Sequence, residues 1–205
     1  MSLETFIGFS VAAILLALAP GPDNLFVLTQ SVLYGPRAGL WVTLGLCSGL
    51  VVHTLAVSLG VAAVVQIPAA FLALKIIGAL YLLYIAWRTI IVGRQSMAAL
   101  KSPALTAGAL YRRGIMMNIT NPKVTVFFLA FLPQFIELDA THPSLQLLQL
   151  AVLFMAITLF VFGGIACLSG ALGPWLQSRP QLWGKLNYVV AVILVGLALR
   201  LAFVQ

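Results

Sequence analysis

Six long apolar stretches run through this chain of 205 residues, and any fold it adopts must find a medium for them. They cover residues 3–34, 38–65, 68–92, 114–136, 145–172 and 182–203. A bilayer core about 30 Å thick is crossed by about 20 mostly apolar helical residues. Each stretch is too long, and too poor in alternation, to be a barrel strand. Charged residues make up only 7% of the chain, against roughly 25% in an ordinary soluble domain. So few charges cannot cover a water-facing surface, and the solvent for most of the molecule is lipid. The expectation is an all-α, polytopic membrane protein of six transmembrane helices, forming a single transporter domain over residues 1–205.

The formal net charge of +7 invites a nucleic-acid reading, which the positions of the charges oppose. Arg37 follows the first stretch; Arg88, Arg94, Lys101, Arg112 and Arg113 surround the loop after the third; Arg179 and Lys185 flank the loop after the fifth. The loop between the second and third stretches holds no basic residue, and the one between the fourth and fifth carries Glu137, Asp139 and His142. Lys and Arg favour the cytoplasmic side of a membrane. The pattern therefore predicts a plasma (inner) membrane protein with both termini outside and no nucleic-acid partner, Arg200 being the one dissenter. Ala17-Leu18-Ala19 resembles a signal-peptidase site, but Met1-Ser2-Leu3-Glu4 lacks the positive charge of a signal peptide and Pro20 would follow the cut. The first helix is expected to be retained. Cys47 and Cys167 both fall in apolar stretches, which is no disulfide framework.

The polar loop from Arg94 to Arg113 divides the chain into halves of about 1–93 and 112–205, each with three stretches. A three-helix unit used twice must be inverted the second time, as in many secondary transporters. Internal similarity agrees with a 3+3 inverted repeat joined by a cytoplasmic loop: Pro22-Asp23-Asn24 interrupts the opening helix of one half, and Asn121-Pro122-Lys123 that of the other. Proline removes a backbone donor and clashes with the preceding turn. Backbone groups freed in this way persist at membrane depth only inside protein or along a wet cavity. Pro20, Pro22 and Pro122 thus predict broken helices 1 and 4 around a cavity.

Asp23 and Lys123 follow these breaks directly. Counted from Arg37 and Arg113 at about 1.5 Å per residue, they lie roughly 20 and 15 Å deep. Charges near the midplane are costly and normally pair or line a hydrated path. One reading makes this a substrate site, with Asp23 receiving an ammonium group while Lys123 and the half-helix N–H groups receive a carboxylate. Gly21, Pro22, Asn24, Asn121 and Pro122 would then shape it. The other reading is a permanent Asp23–Lys123 salt bridge holding or gating the two halves. His53 shares a helix face with Gly45 and Gly49, where small residues allow close packing. His53, like Asp23, is a candidate for proton coupling, although a buried histidine satisfied by a neighbour reads equally well. Lys75 can snorkel, and Tyr81, Tyr84 and Trp87 suit interfacial anchors.

Three rival functions find less support. A thiol-disulfide carrier would need reactive cysteines in an electropositive setting, but Cys47 and Cys167 have apolar or small neighbours. An ion or metal transporter would want several carboxylates, and Asp23 is the only one expected inside the membrane, Glu4 standing at the very start of its stretch. No paired carboxylates or hydrolase motifs point to an enzyme. No metal or cofactor is expected.

At these residues the chain resembles the LysE/RhtB family of amino-acid exporters. The resemblance rests on Pro20-Gly21-Pro22-Asp23-Asn24, Tyr34-Gly35-Pro36-Arg37-Ala38-Gly39, Gly45-x-x-x-Gly49-x-x-x-His53 and Gly78-Ala79-x-Tyr81-Leu82 in the first half. The second half adds Asn118-Ile119-Thr120-Asn121-Pro122-Lys123 and Phe131-Leu132-Pro133-Gln134-Phe135. The resemblance implies export of amino acids or derivatives such as homoserine, homoserine lactone, threonine or leucine, driven by the proton gradient. Its partners would be the amino acid, protons and the lipid bilayer; a homodimer is left open. Asp23 stands where asparagine is frequent in that family.

Overall fold

The computed structural model describes residues 2–19, 21–65, 68–92, 104–136, 143–177 and 180–203. Pro20, Arg94, Lys101, Glu137, Asp139, His142 and Arg179 lie outside the described residues. The chain is helical throughout the described parts: α1 (Leu3–Leu18), α2 (Pro22–Tyr34), α3 (Pro36–Val65), α4 (Pro68–Val92), α5 (Ala107–Ile119), α6 (Pro122–Val126), α7 (Pro143–Gln177) and α8 (Pro180–Phe203). Among the described residues, α3 and α7 are each long and apolar enough to cross a membrane, over Pro36–Leu59 and Ser144–Ser169. Two further candidate spans are bent pairs: α1 with α2, at 61°, and α5 with the segment Pro122–Phe135, at 49°. The fold is thus that of an all-helical, polytopic membrane protein with two to four candidate spans by length and composition.

Local chemistry sets these boundaries. Ser2 caps α1 by accepting the amide of Thr5. Pro22 and Pro122 each stand at the first position of the helix they open, where proline's fixed φ suits a helix and its missing N–H costs nothing. Gly35 ends α2 with φ at 86°, and α3 begins at the next residue. Only glycine takes that backbone geometry without strain, so the turn between α2 and α3 is one residue long. The helix opening the second half starts at Ala107, seven residues before its apolar stretch, because Thr106 caps it and Arg112 and Arg113 remain exposed. Hydropathy marks the lipid-crossing part of a helix, not its polar first turns. After α6 the backbone widens to a π-helical turn over Phe127–Phe131 and tightens to a 3₁₀ turn over Leu132–Phe135. Pro133 cannot donate to the turn before it, and the irregularity coincides with it.

Helix α3 is central, packing on α2, α5 and α7, while α4 packs chiefly on α8 and α1 on α7. The main core gathers Phe9, Phe127, Phe128, Phe131, Phe135 and Phe154, with ring centroids of successive neighbours 4.9–5.8 Å apart. The outer surface is as apolar as the core. Only a third of the α7 span is buried, and Leu59 and Phe160 are more than four-fifths exposed. In water such a surface would aggregate; in lipid it is the expected exterior.

The stripe Gly45, Gly49 and His53 faces α5. A β-carbon on Gly45 would collide with the Tyr111 carbonyl and with Gly114, and one on Gly114 would collide with the Val42 carbonyl. The two backbones therefore touch, which glycine alone permits. Tyr81, Tyr84 and Trp87 form a ladder on α4 with centroids 5.8 and 6.1 Å apart, and the last two face outward. Lys75 is half-buried on the same helix.

Candidate substrate site at the two helix breaks

The breaks after α1 and after α5 lie against each other, and each supplies what the other lacks. In α1 the carbonyl of Leu16 would be served by the amide of residue 20, which is proline and has none. The Lys123 ammonium takes that place: Nζ donates to the Leu16 carbonyl at 3.1 Å and to that of Ala19 at 2.9 Å. Asn24 folds back from α2 to donate its Nδ2 to the Ala17 carbonyl at 2.7 Å. The C-terminal end of α1 carries the negative end of the helix dipole, so a cation belongs there. Gly21 keeps the approach open, since a β-carbon on it would stand 3.4 Å from Lys123 Nζ.

The reciprocal contact runs from the second break to the first. Asn121 donates its Nδ2 to Oδ2 of Asp23 at 2.7 Å. Its own Oδ1 accepts the Lys123 amide at 3.0 Å, capping α6. At the start of α2, by contrast, Gly21 makes no side-chain capping bond. The first turn of α2 instead carries the buried acidic side chain of Asp23, which suits the positive end of a helix dipole.

Asp23 and Lys123 line the same small cavity, of about 20 Å³. Both are buried, at 2% and 6% exposure. Their hydrogen bonds go elsewhere: Lys123 to the α1 carbonyls, Asp23 to Asn121. The two opposite charges therefore share a chamber without being hydrogen-bonded to each other. Leu16, Ala17, Leu46, Val124, Phe154 and Phe162 form the apolar part of the wall, and Asn118 and Thr158 add polar groups. The volume exceeds the roughly 10–15 Å³ that one water-sized group needs. An amino acid is far larger than this space.

His53 Nε2 lies 3.1 Å from the Asn118 carbonyl, with its ring against Phe128 at 5.6 Å. It belongs to the cavity's supporting layer rather than its lining. The sequence pattern singled out Gly21, Pro22, Asp23, Asn24, Asn121, Pro122 and Lys123, and the fold brings these residues together. It missed Thr158, Phe154 and Phe162 of α7. They sit in an unbroken apolar run, where a single threonine gives no periodic signal. Cys47 is half-buried with Sγ 3.9 Å from the Met155 carbonyl, and Cys167 is exposed; both are free thiols. Among the described residues, no three of His, Cys, Asp or Glu gather as metal ligands would.

Broken helices meeting around a buried, charged cavity in an apolar helical bundle are a pattern found in membrane transporters, and the family match points to a transporter, not an enzyme. The chain belongs to the family described as LysE type translocator, which it matches over residues 14–205. It is 31% identical over 206 residues to an uncharacterized membrane protein of Vibrio cholerae, covering 98% of each chain. It is 30% identical over 200 residues to a leucine efflux protein of Salmonella typhimurium, covering 96% of this chain and 94% of that one. A leucine efflux protein of an Enterobacter species is 31% identical over 200 residues, covering 95% and 93%. No solved structure matches the chain.

Proposed function

We propose that this protein exports small amino acids or their close derivatives from the cytoplasm, in the class of leucine, threonine, homoserine and homoserine lactone, by exchange with protons. The observation that carries this reading is the shared cavity of Asp23 and Lys123, two buried opposite charges at the junction of two broken helices. A zwitterion has the complementary pair of charges. Its carboxylate would face Lys123. Its ammonium would face Asp23. Relatives named as leucine efflux proteins agree with the mainly aliphatic and aromatic wall.

The architecture of this reading is six spans in two inverted halves, in the inner membrane, with both termini outside. The packing is consistent with it: α3 packs on α7 and α4 on α8, pairs that such a repeat would make equivalent, and α3 on α5 has α7 on α1 as its counterpart. A site at the interface of two repeats can be exposed to either side by rocking one against the other. His53 is the proton-coupling candidate outside the cavity. Its ring nitrogen contacts the Asn118 carbonyl, in the segment leading into the second break.

Cells loaded with dipeptides and induced for the protein test the reading. Free aliphatic or small hydroxylated amino acids should accumulate in the medium above the level of cells lacking it. Metal tolerance without amino-acid release would instead favour the ion-transporter alternative.

A further inference from the structure

The buried rings of Phe9, Phe127, Phe131 and Phe135 close into a circle. Centroids lie 5.8 Å apart from Phe9 to Phe127 and 5.1 Å from there to Phe131. The next steps are 5.2 Å to Phe135 and 5.3 Å back to Phe9. Phe9 stands on α1 and the other three on the segment after α6, so the circle joins the two broken spans. It begins at the cavity wall, because Phe154 lines the cavity and packs on Phe127 at 4.9 Å. Leu16 and Val124 are also wall residues. From them the two chains run past Phe9 and Phe135 to the end of the bundle where α1 starts. Arg37, Arg112 and Arg113 are at the opposite end, so the circle lies on the outer side in the proposed orientation.

Three of the four rings stand on irregular backbone. Residues 127–135 pass through the π turn and then the 3₁₀ turn, and π-helical turns are rare and frequent at functional sites. A regular helix would give the Ala130 carbonyl the amide of residue 134. Here the Gln134 side chain reaches back to it as well, Nε2 donating at 2.8 Å. Sharp bends in helices occur at prolines and at π turns, and this stretch holds both. The other side of the cavity is built differently. Its buried cluster is small and aliphatic, with Ala17, Val27, Val42, Leu46 and Ala166 around a single buried ring, Phe162.

We infer that the four rings are the exit gate of the cavity, hinged at residues 127–135 and held shut by Gln134. An amino acid leaving on the outer side parts them when this stretch bends away from Phe9. The inference rests on the transport reading and gives it a local moving part.

The test places a thiol on the cavity wall as Val124→Cys, in a full-length chain with Cys47 and Cys167 changed to alanine. A membrane-impermeant thiosulfonate is then applied from outside to intact cells, or to the cytoplasmic face in inverted vesicles. Phe131→Ala removes two aromatic contacts and should speed labelling from outside by at least about fivefold. Gln134→Leu, which keeps the size and drops the donor, should also speed it. Neither should change labelling from the cytoplasmic face, and Phe162→Ala should not speed labelling from outside. Outside labelling at the parent rate in Phe131→Ala or Gln134→Leu overturns the gate, as does equal acceleration from both faces or acceleration from the cytoplasmic face alone. If Phe131→Ala does not fold, Phe131→Leu and Phe9→Leu, which keep most of the volume, decide in its place. A failed labelling test leaves leucine efflux intact and removes the gate alone. Wild-type liposomes that release no amino acid overturn the transport reading, and the assignment as an exit falls with it.

Discussion

Asn121 and Asp23 lie 98 residues apart in sequence and 2.7 Å apart in space, the amide of one break donating to the carboxylate of the other. With Lys123 on the carbonyls of α1, this makes a reciprocal clasp in which each break supplies a hydrogen-bond partner to the other. Removing one partner leaves a buried charge or carbonyl exposed to apolar surroundings.

For Asn121→Ala, the lost hydrogen bond to a charged group costs roughly 1.5–3 kcal/mol. The variant also loses the α6 cap on the Lys123 amide, for which about 1 kcal/mol is typical. The midpoint of thermal unfolding in detergent should fall clearly below that of the wild type. An unchanged midpoint would mean that the clasp adds nothing to stability.

Lys123→Met removes both donors to the Leu16 and Ala19 carbonyls. Each unsatisfied buried acceptor costs about 1–3 kcal/mol, so this variant should be less stable than Lys123→Gln, whose amide can reach one carbonyl. Thermal unfolding of the two variants side by side checks the order.

The glycines of the bundle should separate into two groups. Gly45→Ala and Gly114→Ala drive a methyl group into the backbone of the facing helix, an overpacking of about 1–3 kcal/mol. Gly164→Ala and Gly196→Ala meet nothing within 4 Å and should be neutral or gain up to about 1 kcal/mol of helix propensity. Gly35→Ala meets no side chain either, but its φ of 86° makes it cost about 1–2 kcal/mol of backbone strain. Folded yield and thermal midpoint of the five variants test the grouping.

His53→Gln keeps a donor for the Asn118 carbonyl and removes the titratable ring. If His53 couples protons, liposomes carrying the variant should release leucine down its own gradient but lose the acceleration by an inward proton gradient. Equal acceleration in variant and wild type would remove His53 from the coupling path.

Much of this architecture is legible in the sequence because a bilayer leaves few choices. Pro22 and Pro122 mark the breaks, and Asp23 and Lys123 mark the cavity, since a charge inside an apolar stretch is costly and calls for a partner. The sequence does not show how the charges are shared. Opposite charges suggest a direct bridge, yet Lys123 serves the carbonyl that Pro20 strands, a need visible only when Leu16 is counted four residues back. Thr158 is silent for another reason: in a lipid-facing helix the exterior is as apolar as the core, so no periodicity separates the cavity side from the lipid side. The early start of α5 at Ala107 followed from Thr106, a capping residue outside the apolar stretch.

The central claim is that the paired breaks hold a chamber for a zwitterion, with Asp23 and Lys123 as its two poles. Efflux of labelled leucine should therefore be compared for wild type, Asp23→Asn and Lys123→Gln in liposomes with equal amounts of folded protein. Losing one charge-assisted contact predicts a drop of at least about tenfold in each variant. Wild-type efflux from both would contradict the account.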